Sequence, residues 1–265
     1  MILSSFRNLF FYRNLLFQLI KRDILSRYQG TVLGIFWSFG LPLLTLAVYG
    51  FVFGIILTPR WPNIDGPLQF TLILFTGLLI FNLFSECISR APLLVINNSS
   101  FVKKVIFPID ILVWIPIGGA IFHLCLGLFP WIILVLVSGG SITISSLLLP
   151  VVLFPFVLFT VGLSWFLSAL GVYIRDLGQV IGVGIQLLLY LGPIIYPSEV
   201  LPISFRWLIY LNPITIPVEQ FRNILNFGLF PDFTALAAYT VVSLLMLSAG
   251  RLFFEKTRHG FADVI

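Results

Sequence analysis

Few residues in this 265-residue chain could do covalent chemistry, and they are thinly spread. Ten acidic residues, two histidines and two cysteines are present. They form no close carboxylate pair, no nucleophile elbow and no cluster with metal-ligand spacing. Glycine never precedes lysine, so the G-x-x-x-x-G-K-[ST] loop that cradles ATP phosphates does not occur. Glu219 and Arg222 stand three apart and share a helix face, a spacing that suits a neutralising ion pair better than catalysis. His123, alone in an apolar run with no partner nearby in sequence, reads as a packed or hydrogen-bonded imidazole rather than a ligand. Cys87 and Cys125 lie in apolar context and suggest neither a disulfide framework nor a metal site. The chain reads as a non-enzyme with no cofactor or metal of its own.

What surrounds these residues decides the class. Hydrophobic residues make up 59% of the chain and charged residues 9%, against roughly 25% charged in a soluble domain. So few charges cannot cover a water-exposed surface, and the mean hydropathy of +1.10 agrees. The expected fold is an all-α integral membrane protein. A net charge of +5 would suggest nucleic acid in a soluble protein. Here the basic residues sit between apolar runs and are better explained by topology. A removable signal peptide is not expected, because the first thirty residues carry five basic residues and no long apolar core.

A membrane-spanning helix needs about 20 mostly apolar residues. Six spans are expected, at 31–57, 68–88, 111–137, 147–172, 177–196 and 233–253. Ser138-Gly139-Gly140-Ser141 supplies a turn inside a stretch otherwise too long for one helix. Residues 197–231 are apolar but broken by Pro202, Pro213, Pro217 and Pro231, and read as short re-entrant or interfacial helices. With the N-terminus in the cytoplasm, twelve Lys and Arg fall inside and three outside, so both termini are expected in the cytoplasm. One membrane domain covers residues 1–265, with no internal repeat evident.

Three segments could carry function. Residues 1–30 form an amphipathic interfacial helix: Leu9, Tyr12, Leu16, Leu19, Ile20 and Ile24 share one arc, and Arg7, Asn14, Gln18, Lys21 and Arg22 the other. Arg13 and Asp23 break the pattern. This helix either docks a partner or merely anchors topology. In the 90–110 loop, Ser99 or Ser100 could cap a short helix through Phe101, Val102, Lys103 and Lys104, stopped by Pro108. Such a helix is a handle for a motor protein, although spacing alone favours a solvated topology signal. Gly192-Pro193-Ile194-Ile195-Tyr196-Pro197 unwinds the end of the fifth span, which suits a gate or an ordinary helix end equally. The many aromatics, 16% of the chain, could serve lipid, interface or a path for sugars.

Read together, several motifs carry a resemblance. Lys21-Arg22-Asp23 and Arg27-Tyr28, then Leu33-Gly34, Trp37 and Pro42, resemble the start of ABC-2 type permeases. Tyr173-Ile174-Arg175-Asp176, Gly192-Pro193-Ile194-Ile195-Tyr196, and Leu211-Asn212-Pro213 with Arg222 fit the same family, nearest its branch exporting O-antigen, capsular or teichoic-acid polysaccharide. The tail residues Glu255-Lys256 and Phe261-Ala262-Asp263 look typical of it too. The resemblance covers essentially the whole chain. It implies a homodimer in the bacterial inner membrane, paired with separate ABC ATPase subunits that hold ATP and Mg²⁺. It implies that the N-terminal helix, with Lys21 and Arg22, and the loop with Phe101, Val102, Lys103 and Lys104 contact those ATPases. It further implies short outer-face helices between the last two spans, an outer gate at Gly192, Pro193, Tyr196 and Pro197, and a polysaccharide substrate carried on a lipid.

Three other readings stay open on sequence alone. An ABC-2 permease for a drug or small lipid belongs to the same class. A membrane-embedded polyprenyl-phosphate sugar transferase belongs to another, but it needs acidic residues gathered to hold metal and lipid phosphates, and the ten acids here are scattered. A passive channel would need no ATPase.

Overall fold

The computed structural model describes residues 9–52, 66–102, 108–198 and 202–264. Arg60, Lys103, Lys104 and Glu199 lie outside the described residues, as does the last part of the expected first span. The regular structure of the described residues is entirely helical, with no strand among them.

The first helix, α1, is Arg13–Tyr28. The first span contains α2, Trp37–Tyr49, within an apolar stretch Gly34–Val52. α3, Pro67–Leu94, begins with proline at its first turn, where the missing N–H costs nothing. It runs on through Glu86 and Arg90, past the expected end at residue 88, because both charges find partners in the bundle. α4 is the single turn Ser99–Val102. α5, Trp114–Val137, is entered through a 3₁₀ turn at Ile109–Val113 and ends at Gly139, whose φ of +73° favours glycine. α6 is Leu149–Tyr173 and α7 is Leu177–Leu191. Two short helices follow, α8 at Arg206–Leu211 and α9 at Thr215–Leu225. α10, Phe233–Thr257, is capped by Asp232, whose Oδ1 accepts from the backbone N of Thr234 at 2.9 Å and of Ala235 at 3.2 Å. α11, Phe261–Val264, closes the chain.

Among the described residues, five helices are long and apolar enough to cross a membrane: Gly34–Val52, Pro67–Leu94, Ile109–Val137, Ile144–Tyr173 and Phe233–Gly260. The expected fifth span differs. α7 has 15 residues, about 22 Å at 1.5 Å per residue against a hydrocarbon core of about 30 Å. It stops where Gly192 takes an extended backbone before Pro193.

α3 is the axis of the bundle, buried along nearly its whole length and packed by α5, α6, α7 and α9. α10 lies against α6 so closely that a Cβ on Gly250 would stand 1.9 Å from the Gly162 carbonyl oxygen. Without a hydrophobic drive between helices in lipid, such backbone contact supplies the packing. Gly250→Val is expected to prise α10 from α6 and cost about 3 kcal/mol or more. The check is the monodisperse fraction on size exclusion in mild detergent, which should fall well below wild type.

Candidate functional site

Two polar assemblies stand at opposite ends of the bundle. The first joins α1, α3 and α5. Asp23 and Arg27 are one turn apart on the inner face of α1, and Glu86 and Arg90 one turn apart on α3. The two helices meet with these charges in matching order. Arg90 Nη1 donates to Asp23 Oδ2 at 2.9 Å and its Nη2 reaches Oδ1, a bidentate pair. Arg27 donates to Asp23 Oδ2 at 3.1 Å and pairs with Glu86 Oε1. Glu86 Oε2 lies 2.8 Å from His123 Nδ1, and a carboxylate can only accept, so that nitrogen carries a proton. His123 Nε2 meets the Tyr28 hydroxyl at 2.9 Å. The partners that sequence could not find for His123 are thus 37 and 95 residues away. The Asp23 carboxyl is half-buried, which would raise its pKa, but Arg90 and Arg27 outweigh that and hold it below the usual carboxylate value.

Asp23, a break in the amphipathic pattern, is therefore an inward-facing member of the network. Burial confirms the geometry: Leu19 and Ile24 are buried beside it, while Lys21 and Arg22 are exposed on the other side. Gly118 lets α1 approach α5, because a Cβ there would collide with the Ile20 side chain. The network borders a cleft of about 440 Å³ between α2 and the α3–α5 pair.

The second assembly holds the end of α7. Breaking a helix at Gly192-Pro193 frees carbonyls that need donors. Arg222 on α9, 3% exposed, supplies them. Its Nη1 donates to the Pro193 carbonyl, its Nη2 to that of Ile194 at 2.7 Å, and its Nε to that of Ile73 on α3 at 3.0 Å. Gly77 makes room, since a Cβ there would stand 2.7 Å from Arg222 Nη2. Beyond the neutralising role expected beside Glu219, Arg222 therefore donates to backbone carbonyls of two segments. Asn212 donates to the Leu188 carbonyl at 2.9 Å and accepts from the Ile214 N–H at 3.1 Å. Asn226 donates to Thr76 Oγ1 at 2.7 Å and accepts from Trp131 Nε1 at 3.1 Å. Gly192, Pro193 and Pro197 are buried in this knot, and the Tyr196 hydroxyl donates to the Tyr190 carbonyl at 2.8 Å.

Of the remaining candidate residues, Lys21 and Arg22 are exposed on α1. Phe101, on α4, is half-buried and packs against the core of its own chain. α4 is described as far as Val102, and Lys103 and Lys104 lie outside the described residues.

A bundle of apolar helices with polar assemblies at its two ends is the architecture of a multi-pass membrane protein. Its family follows from comparison. The model for "ABC-2 type transporter" matches residues 14–226, and the chain belongs to that family. It is 31% identical over 264 residues, 98% of both chains, to the "O-antigen export system permease protein RfbA" of Myxococcus xanthus. Two proteins of the same name from Klebsiella pneumoniae are 28% and 27% identical, over 97% of this chain and of each relative.

Proposed function

We propose that this chain is the permease subunit of an ATP-driven exporter, carrying a lipid-linked, O-antigen-like polysaccharide across the bacterial inner membrane. The observation that carries this is the near full-length likeness to O-antigen export permeases within the ABC-2 type transporter family. In this reading two copies pair in the membrane, and each engages a separate ABC ATPase that holds ATP and Mg²⁺. α7 completes a sixth span, and α8 and α9 form re-entrant helices at the outer face. At 6 and 11 residues they are too short to cross, being about 9 and 17 Å long. Both termini face the cytoplasm, which puts the Asp23 network on the ATPase side and the Arg222 knot at the outer gate with Gly192, Pro193, Tyr196 and Pro197. α1, through its exposed Lys21 and Arg22, and the loop carrying Phe101, Val102, Lys103 and Lys104 meet the ATPase.

The test is genetic. Deleting the gene in its host should trap glycan on the cytoplasmic side, and plasmid-borne wild type should restore surface glycan. Undiminished surface glycan after deletion would refute the reading. A second expectation concerns energy. The purified chain alone should not hydrolyse ATP, and phosphate release should appear only with its ATPase partner.

A further inference from the structure

The cleft beside the Asp23 network contains a group that neither the packing nor the network uses. α3 is apolar and buried through Ile80, Phe81, Leu83 and Phe84, yet Asn82 among them is exposed and lines the cleft. Its amide has no hydrogen-bond partner among the described residues. Residue 82 lies about 22 Å along the helix from Pro67 and about 18 Å from Leu94, so the amide sits near the middle of the span. An amide left without a partner at that depth is costly, and such residues mark paths for polar cargo.

The rest of the lining says what could satisfy it. Tyr28, Ser38 and Thr45 line the same cleft. The Ser38 and Thr45 hydroxyls donate to the Ile35 and Leu41 carbonyls at 2.6 and 2.8 Å, and Tyr28 meets His123, so these oxygens offer acceptor lone pairs while Asn82 supplies the donor. The nearby charges are compensated: Arg27 and Arg90 are held by Asp23 and Glu86. A diphosphate would need an uncommitted cation, and the described lining offers none. An uncharged, hydroxyl-rich group needs donors and acceptors of the kind an amide and hydroxyls supply. A volume of about 440 Å³ is in the range of small-ligand sites.

We propose that the cleft between α2 and α3–α5 is a saccharide subsite, in which Asn82 hydrogen-bonds the hydroxyls of an uncharged sugar residue of the passing glycan. The inference rests on the export reading above and adds to it the chemistry of one contact.

The test uses the full exporter, chain plus ATPase, in cells that make the glycan. A benzophenone amino acid replaces Thr45, which faces the cleft, or Phe129, which is exposed on α5 away from it. Glycan-bearing adducts are expected from position 45 and not from 129. Asn82→Leu should lower the adduct from position 45 about tenfold, and Asn82→Gln should stay within about twofold of wild type. In chains without the crosslinker, Asn82→Leu should slow export about tenfold at unchanged protein abundance. Unchanged export in Asn82→Leu, or adducts at 45 made only with phospholipid or a second copy of this chain, would overturn the proposal. If export needs this chain but position 45 never captures sugar, the subsite alone falls. If export persists without the chain, the exporter reading falls and the subsite with it.

Discussion

Arg222→Met should be among the most damaging single changes in this chain. The substitution keeps much of the side-chain volume and removes all the donors. It leaves the carbonyls of Ile73, Pro193 and Ile194 without their guanidinium partner. A buried acceptor without a partner costs about 1–3 kcal/mol, and lipid offers no water to replace it. With partial relaxation the sum is on the order of 5 kcal/mol. Arg222→Lys should recover only part of this, because a single ammonium cannot span three carbonyls on two segments. The measurement is thermal unfolding of the solubilised protein together with surface glycan. Met should abolish both the cooperative transition and export, and Lys should fall between. A Met variant as stable as wild type would show that the broken end of α7 is held by something else.

Glu86→Leu should release α1. Glu86 is the shared acceptor of Arg27 and His123, so its loss strands a guanidinium and an imidazole that together tie α1 and α5 to α3. Removing one partner from a part-buried ion network costs about 2–3 kcal/mol, or roughly 30- to 150-fold in an opening equilibrium. Amide hydrogen exchange along α1 should accelerate by that factor while exchange in α6 and α10 stays unchanged. Export should fall with it, since α1 is the element proposed to meet the ATPase. Asp23 adds a pH dependence of known sign. Its pKa is lowered in the fold, so its contribution is complete above the ordinary carboxylate value and lost as pH falls through the lowered one. Docking of α1 should therefore weaken as pH falls below the ordinary carboxylate range, and Asp23→Asn should reduce that dependence, with Glu86 carrying the remainder.

These two assemblies show where sequence reading reaches and where it stops. The apolar runs were legible because a bilayer imposes length and composition on each span locally. The break after α7 was legible because Gly192-Pro193 acts on its own backbone. The network was not. Asp23 looked like an error in an amphipathic arc because its partner, Arg90, lies 67 residues away. Glu86 and Arg90 looked like the end of a span, yet their one-turn spacing, repeated in Asp23 and Arg27, was a usable signal for facing helices. Arg222 was harder still. It donates to carbonyls, which every residue carries, so no side-chain pattern could name them. Asn82 was missed because one amide inside a span conveys nothing until its neighbours are seen to be buried and it is not.

The most direct test is transport by the purified parts. The chain and its ATPase would be reconstituted into vesicles holding a short lipid-linked saccharide whose sugar faces the ATPase side. Sugar reaching the opposite leaflet would be counted with an impermeant lectin or glycosidase. The expected result is transport that requires this chain, the ATPase and hydrolysable ATP together, and that fails in Arg222→Met and Glu86→Leu. Transport without ATP, or the same ATP-driven transport from vesicles lacking this chain, would contradict its assignment as the permease subunit.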